Sequence, residues 1–234
     1  MLRIIIVKAI LLFFSFHFIH CKSNCMKINC TLTQNIENEG FHRVIHWLIE
    51  IETYEKSLDE CFLLLLQEIP SGAFVNPDQV SDLNRLGKIS ARIDGIIDVE
   101  KPMHHSESHY LYLYSNVNDS RIHFEIPIHL RYQRPQISGD YGKVEFDYPS
   151  LLFRCKNQID ICGKKIIAPI SSSKNSTTVW RNVTYEPISE ILDVIVPLGD
   201  LDHYPLVSVV TFFVTCCGCI YLLSVILSKP LPTK

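Results

Sequence analysis

Residues 126–135 read IPIHLRYQRP, and the alternation of apolar and polar side chains along them predicts a β-strand. Successive side chains of a strand point to opposite faces, so one face of this strand would pack in the core. The residues of that face are Ile126, Ile128, Leu130 and Tyr132. Pro127 removes a donor from the backbone ladder, which is tolerated at a sheet edge. The stretch therefore predicts an edge strand on which Pro127 and Pro135 prevent further strand addition.

The other face of this strand forms an outward polar row of His129, Arg131 and Gln133. Two interpretations of the row remain open: a solvated face, or a face that docks onto a partner protein. A catalytic role has little support, because no histidine of the chain adjoins a recognisable nucleophile.

Similar strand patterns recur along the chain and are bounded by Pro, Gly, Asn or Asp. They cover residues 44–51, 61–69, 88–94, 109–114, 121–133, 143–148, 179–185 and 190–196. Residues 62–66 (FLLLL) form a continuous apolar run, which predicts a strand buried on both faces, with a short helical piece as the alternative. A short helix is expected at residues 78–85, and no other helical pattern precedes the C-terminal apolar segment. The sequence therefore predicts a mainly β, antiparallel sandwich-like domain.

The N-terminal residues 1–23 have the layout of a signal peptide. Arg3 and Lys8 precede an apolar run at residues 9–19, and this run is too short to span a bilayer. A small-x-small pair at residues 21–23 predicts cleavage before Asn24. An uncleaved anchor is the alternative, but it would place Lys8 in the hydrocarbon core.

Residues 206–227 form a second apolar segment without a charged side chain. At a rise of about 1.5 Å per residue they are long enough to cross about 30 Å of hydrocarbon. Acidic residues precede the segment and lysines follow it, so the positive-inside rule places the C-terminus in the cytosol. A GPI-attachment signal is the alternative, but the polar residues 228–234 argue against it. The expected organisation is a single-pass type I membrane protein with a lumenal domain at residues 24–205 and a cytosolic tail at 228–234.

One face of the expected span is rich in small side chains. Ser208, Thr211, Thr215 and Gly218 follow one another at three- and four-residue steps and therefore share a helical face. Small residues let a second helix approach closely, and hydroxyls can hydrogen-bond across such a contact. Thr211, Thr215 and Gly218 are therefore candidate contacts with a multi-span partner. A lone helix with incidental small residues is the alternative.

Four N-glycosylation acceptor sites agree with a lumenal domain. Their asparagines are Asn29, Asn118, Asn175 and Asn182. The formal net charge of −3 is close to balance. The sequence therefore gives no basic surface that would indicate nucleic acid as a partner.

The nine cysteines fall into two groups. Three lie in the expected span and are interpreted as packing residues. The other six lie on the oxidising side of the membrane, where disulfides persist. Cleavage before Asn24 would leave five, which implies at least one free or intermolecular thiol. Cys155 and Cys162, which close a short loop, are the expected pair, and the pairing of Cys25, Cys30 and Cys61 is left open.

Two groups of residues resemble metal sites, but their context is against it. His104, His105 and His109 follow a proline in a polar connector without a second pair at zinc spacing, which favours a solvated loop. Asp200 and Asp202 have the spacing that holds a metal in many glycosyltransferases, yet they stand beside the expected span without a phosphate-binding loop. No Gly-x-Ser-x-Gly or HExxH motif is present. The sequence therefore predicts no catalytic residues, no metal and no cofactor, and favours a binding or scaffolding role.

A series of short motifs carries a family resemblance. In chain order they are GFHR at residues 40–43, Cys61 leading into QEIPSG at 67–72, VNP at 75–77 with Leu83, PIHLRYQRP at 127–135, PSLL at 149–152 with Cys155, and VPLG at 196–199. Their order, spacing and position before one terminal span resemble the PIG-X family, the accessory subunits of glycosylphosphatidylinositol (GPI) mannosyltransferase I.

The resemblance implies an N-glycosylated type I protein of the endoplasmic reticulum (ER) membrane that has no active site of its own. It would bind and stabilise a multi-span catalytic subunit, PIG-M, which transfers the first mannose from dolichol-phosphate-mannose during GPI-anchor biosynthesis. The polar row of His129, Arg131 and Gln133 stays open between a solvated face and a docking face, and that subunit is the partner expected if the row docks. A single-pass lumenal or cell-surface binding or receptor module, unrelated to GPI synthesis, is the alternative.

Overall fold

The computed structural model describes residues 25–52, 58, 60–156, 160–171 and 176–228. The expected signal peptide at residues 1–23 and the tail from residue 229 onward lie outside the described residues, as does Asn175.

Thirteen strands and two α-helices make up the regular structure of the described residues. The strands are β1 Cys30–Glu37, β2 His42–Ile51, β3 Cys61–Ile69, β4 Ala73–Phe74, β5 Ala91–Asp94, β6 His109–Asn116, β7 Arg121–Leu130, β8 Tyr141–Phe146, β9 Ser150–Cys155, β10 Lys164–Pro169, β11 Thr177–Val183, β12 Glu186–Pro187 and β13 Leu192–Pro197. The helices are α1 Pro77–Arg85 and α2 Tyr204–Ser228, with short 3₁₀ turns at Met103–His105 and Leu201–His203.

Two sheets pack face to face around one main core. The first has the strand order β12-β1-β2-β7-β4 and the second β10-β11-β9-β3-β6-β5, while β8 and β13 form a separate pair. Neighbouring strands are antiparallel except for β1 and β12, which are parallel. The main core takes buried apolar side chains from both sheets and from the β8–β13 pair. The prediction of a mainly β, antiparallel sandwich followed by one apolar helix is confirmed.

Strand β3 is buried on both faces, as its continuous apolar run predicts. Leu63 and Leu65 point into the main core, whereas Leu64 belongs to a second apolar cluster that includes Trp180. The second sheet curls around this cluster, because the Tyr114 hydroxyl on β6 donates a hydrogen bond of 3.2 Å to the carbonyl oxygen of Pro169 at the end of β10. Strands β6 and β10 meet although three strands separate them in the sheet order.

Strand β7, which contains most of the opening stretch, is an edge strand over most of its length. On one side it pairs with β2, and on the other only its last two residues pair with the short β4. The Leu130 N–H donates toward β2, to Phe41, and the Arg131 N–H donates to the opposite side, to Gly72. Since backbone groups alternate in direction along a strand, Pro127 has its nitrogen on the open edge, where no donor is missed.

Helix α1 confirms the short helix expected at residues 78–85. The Asn76 side chain accepts hydrogen bonds from the backbone N–H groups of Asp78 and Gln79, at 2.9 and 3.4 Å. Pro77 follows in the first turn, where its fixed φ suits a helix and no donor is lost. The VNP motif therefore begins this helix, and Val80 is the residue of α1 that is buried.

The pairing of Cys155 with Cys162 is wrong. Cys155 forms a disulfide with Cys61 and Cys162 with Cys25, across Cα–Cα distances of 3.9 and 5.0 Å. Cys61 and Cys155 are direct partners in the β3–β9 register, so the sheet brings them together. Cys162 is carried to the N-terminal segment, where its N–H donates to the carbonyl oxygen of Met26. Cys30 is a buried free thiol, and burial raises its pKa to about 11.

Helix α2 covers the expected span at residues 206–227 and begins two residues earlier. It follows β13 with only residues 198–200 and a 3₁₀ turn between them. The carbonyl oxygen of Gly199 accepts from the Gln136 N–H, and the Leu201 N–H donates back to Gln136. The connection between sandwich and helix is therefore tied to the segment that follows β7.

Candidate functional site

The polar row expected at residues 129–133 does not form as a continuous outward face. The strand ends at Leu130, and the chain then turns so that Arg131 is only 4 % exposed while Tyr132, expected in the core, is 74 % exposed. The prediction is wrong for these two residues because alternation persists only while the backbone stays in the sheet. Beyond Leu130 the Arg131 N–H bonds to Gly72, in the turn that leads to β4.

Arg131 holds the loop of residues 95–108, which connects β5 and β6. Its Nη1 donates to the carbonyl oxygens of Asp98 and Lys101 at 2.7 and 2.6 Å. The guanidinium also lies over the Phe74 ring, 4.6 Å from its centroid. Burial lowers the Arg131 pKa, and the charge of Asp98 works against that shift. Arg131 is therefore a loop anchor and does not offer its charge to a partner.

The other two residues of the row remain half-buried at the surface. The His129 ring stacks on Phe74 at 4.9 Å and meets His42 edge-on at 4.5 Å. Burial, followed by the neighbouring His42, lowers the His129 pKa, so the ring is neutral near pH 7. The Gln133 amide donates to the carbonyl oxygen of Arg131 at 3.1 Å. Both side chains thus reach the surface beside the anchored loop, but they do not form one charged patch.

The histidines of HHSESH separate into two environments. His104 and His105 are exposed in a 3₁₀ turn, whereas His109 begins β6 and is only 3 % exposed, so the solvated-loop interpretation is wrong for His109. The His109 Nε2 accepts the backbone N–H of Val75 at 3.4 Å. Burial and then the charge of Arg131 lower the His109 pKa to about 4. Across the described ranges no three His, Cys, Asp or Glu side chains are grouped as a metal site would require.

Asp200 and Asp202 are engaged in the turn that precedes α2. Asp200 accepts the N–H of Asp202 at 2.8 Å and contacts the His203 ring at 3.0 Å. Asp202 accepts the N–H of Ser138 at 3.2 Å. These carboxylates cap a turn and connect it to the segment after β7, which explains their spacing without metal chemistry.

The small-residue face of α2 is open along its length. The Thr215 hydroxyl donates to the carbonyl oxygen of Thr211 at 2.7 Å, and a side chain added at Gly218 would meet no atom within 4 Å. No part of the described chain packs against α2. Thr211, Thr215 and Gly218 as partner contacts stay a prediction.

The glycosylation acceptors lie in different settings. Asn29 and Asn118 are exposed, in the segments before β1 and between β6 and β7. Asn182 is half-buried within β11, between β9 and β10. Glycosylation at Asn29, Asn118, Asn175 and Asn182 stays a prediction.

Cavities in the described region mix polar and apolar linings. One cavity, of about 560 Å³, lies between the open edge of β7 and α1 and is lined in part by Gln79, Ser115 and Glu125. A smaller one of about 240 Å³ lies below the 95–108 loop beside His109 and Arg131. A third, of about 510 Å³, lies beside the start of α2 and is lined in part by Ser71 and Leu198.

Sequence reasoning missed the exposed apolar side chains around the anchored loop. Ile96, Val99 and Ile137 are all exposed, although each lies in a turn or loop where polar residues are usual. Their signal was present in the sequence as GIIDVEKP at 95–102 and QISGD at 136–140, where apolar residues stand beside Gly, Pro and Asp.

These features define a class: a disulfide-linked β-sandwich on a single apolar helix that is long enough to span a membrane. The sequence matches PIG-X / PBN1 over residues 38–227, which includes the sandwich from β2 onward and nearly all of α2. The chain belongs to the PIG-X / PBN1 family.

Three named relatives are similar to this chain over most of its length. A Rattus norvegicus protein named "GPI alpha-1,4-mannosyltransferase I, stabilizing subunit" is 28% identical over 213 residues, which cover 87% of this chain and 84% of that one. The Homo sapiens protein of the same name is 26% identical, with 79% of this chain and 74% of that one covered. "Protein pbn1" of Schizosaccharomyces pombe is 25% identical over 79% of this chain and 55% of its own length.

Proposed function

We propose that this chain is the non-catalytic, stabilising subunit of GPI mannosyltransferase I. The observation that carries the proposal is similarity across sandwich and helix together to relatives named as that subunit. Similarity to the relatives in the sandwich alone would support only a common fold. Similarity that extends through the sandwich and the helix in the same order also supports a common role as a membrane subunit.

The proposed setting is the ER membrane, with residues 24–205 in the lumen, 206–227 across the bilayer and 228–234 in the cytosol. Two disulfides support an oxidising compartment. The exposed Asn29 and Asn118 are accessible for glycosylation there. The proposed partner is a multi-span catalytic subunit of the PIG-M type, which uses dolichol-phosphate-mannose.

The open face of α2 is the proposed contact within the bilayer. Helices in a membrane associate through close packing, which small residues permit. The hydroxyl of Thr215 is satisfied by its own helix, so close approach at Gly218 is the stronger contribution. In the lumenal domain, His129 and Gln133 are the proposed contacts, and Arg131 supports them by fixing the chain beside Gln133, whose amide donates to the Arg131 carbonyl oxygen.

The first experiment is rescue of cells that lack the equivalent subunit. Expression of this chain is expected to restore both GPI-anchored proteins at the cell surface, measured by flow cytometry, and the level of the catalytic subunit, measured by immunoblot. Failure of this chain, expressed at the level of the native subunit, to restore either surface anchoring or the catalytic-subunit level would refute the proposal. The glycans of this chain are expected to be sensitive to endoglycosidase H, whereas a cell-surface receptor would carry resistant glycans.

The helix contact is tested by enlarging its small residues. Thr215→Leu together with Gly218→Leu is expected to reduce copurification of the catalytic subunit, because added side chains keep the helices apart. Cys217→Leu with Ser224→Leu is the matched control, since these residues lie on the opposite side of α2. Equal recovery with both double variants would rule out this face as the contact.

A further inference from the structure

We propose that the end of the sandwich nearest α2 rests on the lipid surface, with apolar side chains inserted at headgroup depth. We call this the helix-proximal end and define it as residues 95–108, 131–140 and 198–203. This inference goes beyond the proposed function: it rests on α2 crossing the membrane and is independent of the partner's identity.

The three segments lie together at one end of the molecule. Strand β3 runs from Cys61 to Ile69, and Ser71, just beyond it, lines the same cavity as Leu198. The 95–108 loop leaves the sheet at the same end, because Asp94 pairs with Tyr110 and His109 pairs with Ile69. The Ile69 end of the second sheet therefore faces the origin of α2, and the Cys61 end faces away.

Hydrogen bonds join the three segments into one unit. The Met103 N–H donates to the carbonyl oxygen of Tyr132 at 3.0 Å, which connects the loop to the segment after β7. Gln136 exchanges backbone hydrogen bonds with Gly199 and Leu201 at 3.0 and 2.9 Å. Arg131 also anchors the loop, because its guanidinium donates to the carbonyl oxygens of Asp98 and Lys101. The sandwich is thus fixed close to the helix, without a free linker.

This end carries exposed apolar and aromatic side chains on all three segments. They are Ile96, Val99, Tyr132, Ile137 and Leu201, and the exposed Tyr204, the first residue of α2, continues this surface. Tyrosine has an apolar body and a polar tip and is enriched where membrane meets water. Arg134 stands among these residues, and its long side chain can reach the headgroups, whereas the Lys101 ammonium lies 3.7 Å from an Asp98 carboxylate oxygen.

The length of α2 sets the depth of this end. Its 25 residues span about 37 Å, whereas the hydrocarbon core is about 30 Å thick. The first turn of the helix therefore lies among the headgroups. Ile137 is one residue from Gln136, which is bonded to Leu201, so the Ile137 side chain lies near the same level.

The exposed glycosylation acceptors lie at the opposite end. The carbonyl oxygen of Asn29 accepts from Glu52, and that of Ser120, beside the Asn118 site, accepts from Ile51. Ile51 ends β2, whereas His42 at its start pairs with His129 at the helix-proximal end of β7. Glycans at these two sites would not obstruct contact between the helix-proximal end and a membrane.

The occupant that we infer is a zwitterionic lipid surface. Six acidic residues lie at this end, and their charge opposes attraction to anionic headgroups; they are Asp98, Glu100, Glu107, Asp140, Asp200 and Asp202. Burial of apolar side chains, and not charge, then provides the attraction. Continuity with α2 favours lipid over a separate protein, because the apolar surface of the helix extends directly into this end.

The test places an indole at the tip of residues 136–140. The full chain carrying Ile137→Trp is reconstituted in phosphatidylcholine vesicles in which one acyl chain is brominated near its headgroup end. The two native tryptophans, Trp47 and Trp180, are both buried and give a constant background. Bromine is expected to quench roughly half of the added emission, since interfacial insertion reaches about 5–10 Å into the headgroup and acyl boundary.

Two controls separate the possible outcomes. Ile167 is as exposed as Ile137, at 73 %. It lies on β10 and pairs with Val179 on β11, and the register of β11 with β9 and of β9 with β3 places this pair level with Cys61. Ile167→Trp is therefore expected to show no quenching. Phe212→Trp, within α2, is expected to be quenched whether or not the sandwich rests on the lipid.

Quenching of Phe212→Trp without quenching of Ile137→Trp would overturn the resting position and leave the membrane span intact. No quenching of Phe212→Trp would overturn the span itself. Quenching of Ile137→Trp that requires anionic lipid would contradict the apolar basis of the contact. If the emission of the added indole changes only when the catalytic subunit is reconstituted alongside, and bromine does not quench it, the surface binds that protein and not lipid.

Discussion

At the scale of single residues, His109 and Arg131 form a buried pair below the 95–108 loop, and the pair gives the fold a defined pH dependence. The His109 pKa is about 4 in the folded protein, against an ordinary value of 6.5. As the pH falls below 6.5, the unfolded chain takes up a proton at this histidine and the folded chain does not. Stability is therefore fully present above about pH 6.5 and is progressively lost toward pH 4.

We expect this histidine to remove about 3 kcal/mol from the free energy of unfolding between pH 7 and pH 4. The measurement is urea unfolding of the full chain in detergent, followed by the emission of the buried Trp47 and Trp180. His109→Gln retains an acceptor for the Val75 N–H but does not titrate, so it should lose this part of the pH dependence. Superimposable pH profiles for the two proteins would contradict the assignment.

The same pair marks where sequence reasoning at the residue scale ends. The alternation of residues 126–135 continues through Tyr132 in the sequence, but the strand ends at Leu130. Arg131 turns inward because acceptors for its guanidinium come from Asp98 and Lys101, about thirty residues earlier in the chain. A local pattern holds no information about such distant carbonyls, so it predicts the strand correctly and the roles of Arg131 and His109 wrongly.

At the scale of elements, long and regular patterns were predictable. The apolar run of β3 defines its limits at Cys61 and Ile69, and the Asn-Pro start defines α1. Strand β1 was missed because its inward face includes Gln34, which is buried and breaks the apolar pattern. The Gln34 N–H donates to the Ser189 hydroxyl at 2.8 Å, a partner that only the fold supplies.

The start of α1 gives a prediction that isolates one capping side chain. Asn76→Ala removes the acceptor for the N–H groups of Asp78 and Gln79 and is expected to lower the free energy of unfolding by about 1 kcal/mol. Asn76→Asp retains a side-chain acceptor and should be close to the original protein. Denaturant unfolding of the three proteins in parallel is the measurement. An equal loss of unfolding free energy in both variants would show that the Asn76 side chain does not act as an acceptor for the first N–H groups of the helix.

At the scale of the whole molecule, the disulfides connect parts of the chain that sequence proximity does not suggest. Non-reducing digestion and mass spectrometry are expected to give peptides linked through Cys25–Cys162 and Cys61–Cys155. Cys30 should react with a maleimide only after denaturation, because the thiol is buried. A peptide linked through Cys155 and Cys162 would contradict this arrangement.

Removal of the β3–β9 link by Cys61→Ala with Cys155→Ala is expected to cost about 2–5 kcal/mol of unfolding free energy, measured by the same denaturation. The cost arises because the link closes a chain segment with a sequence separation of 94 residues in the unfolded state. Cys30→Ala, which removes a buried thiol but no link, is the control for the substitution itself.

The bond between Cys25 and Cys162 also sets the order of events during synthesis. The two cysteines are 137 residues apart, and β1 has its outer neighbour in β12, later still in the chain. At about 5–20 residues per second, a ribosome needs roughly seven to twenty-seven seconds to pass from one cysteine to the other. The N-terminal segment of the nascent domain therefore cannot form its Cys25–Cys162 bond until most of the sandwich has been translated. Oxidation catalysts and chaperones have that interval in which to act on it.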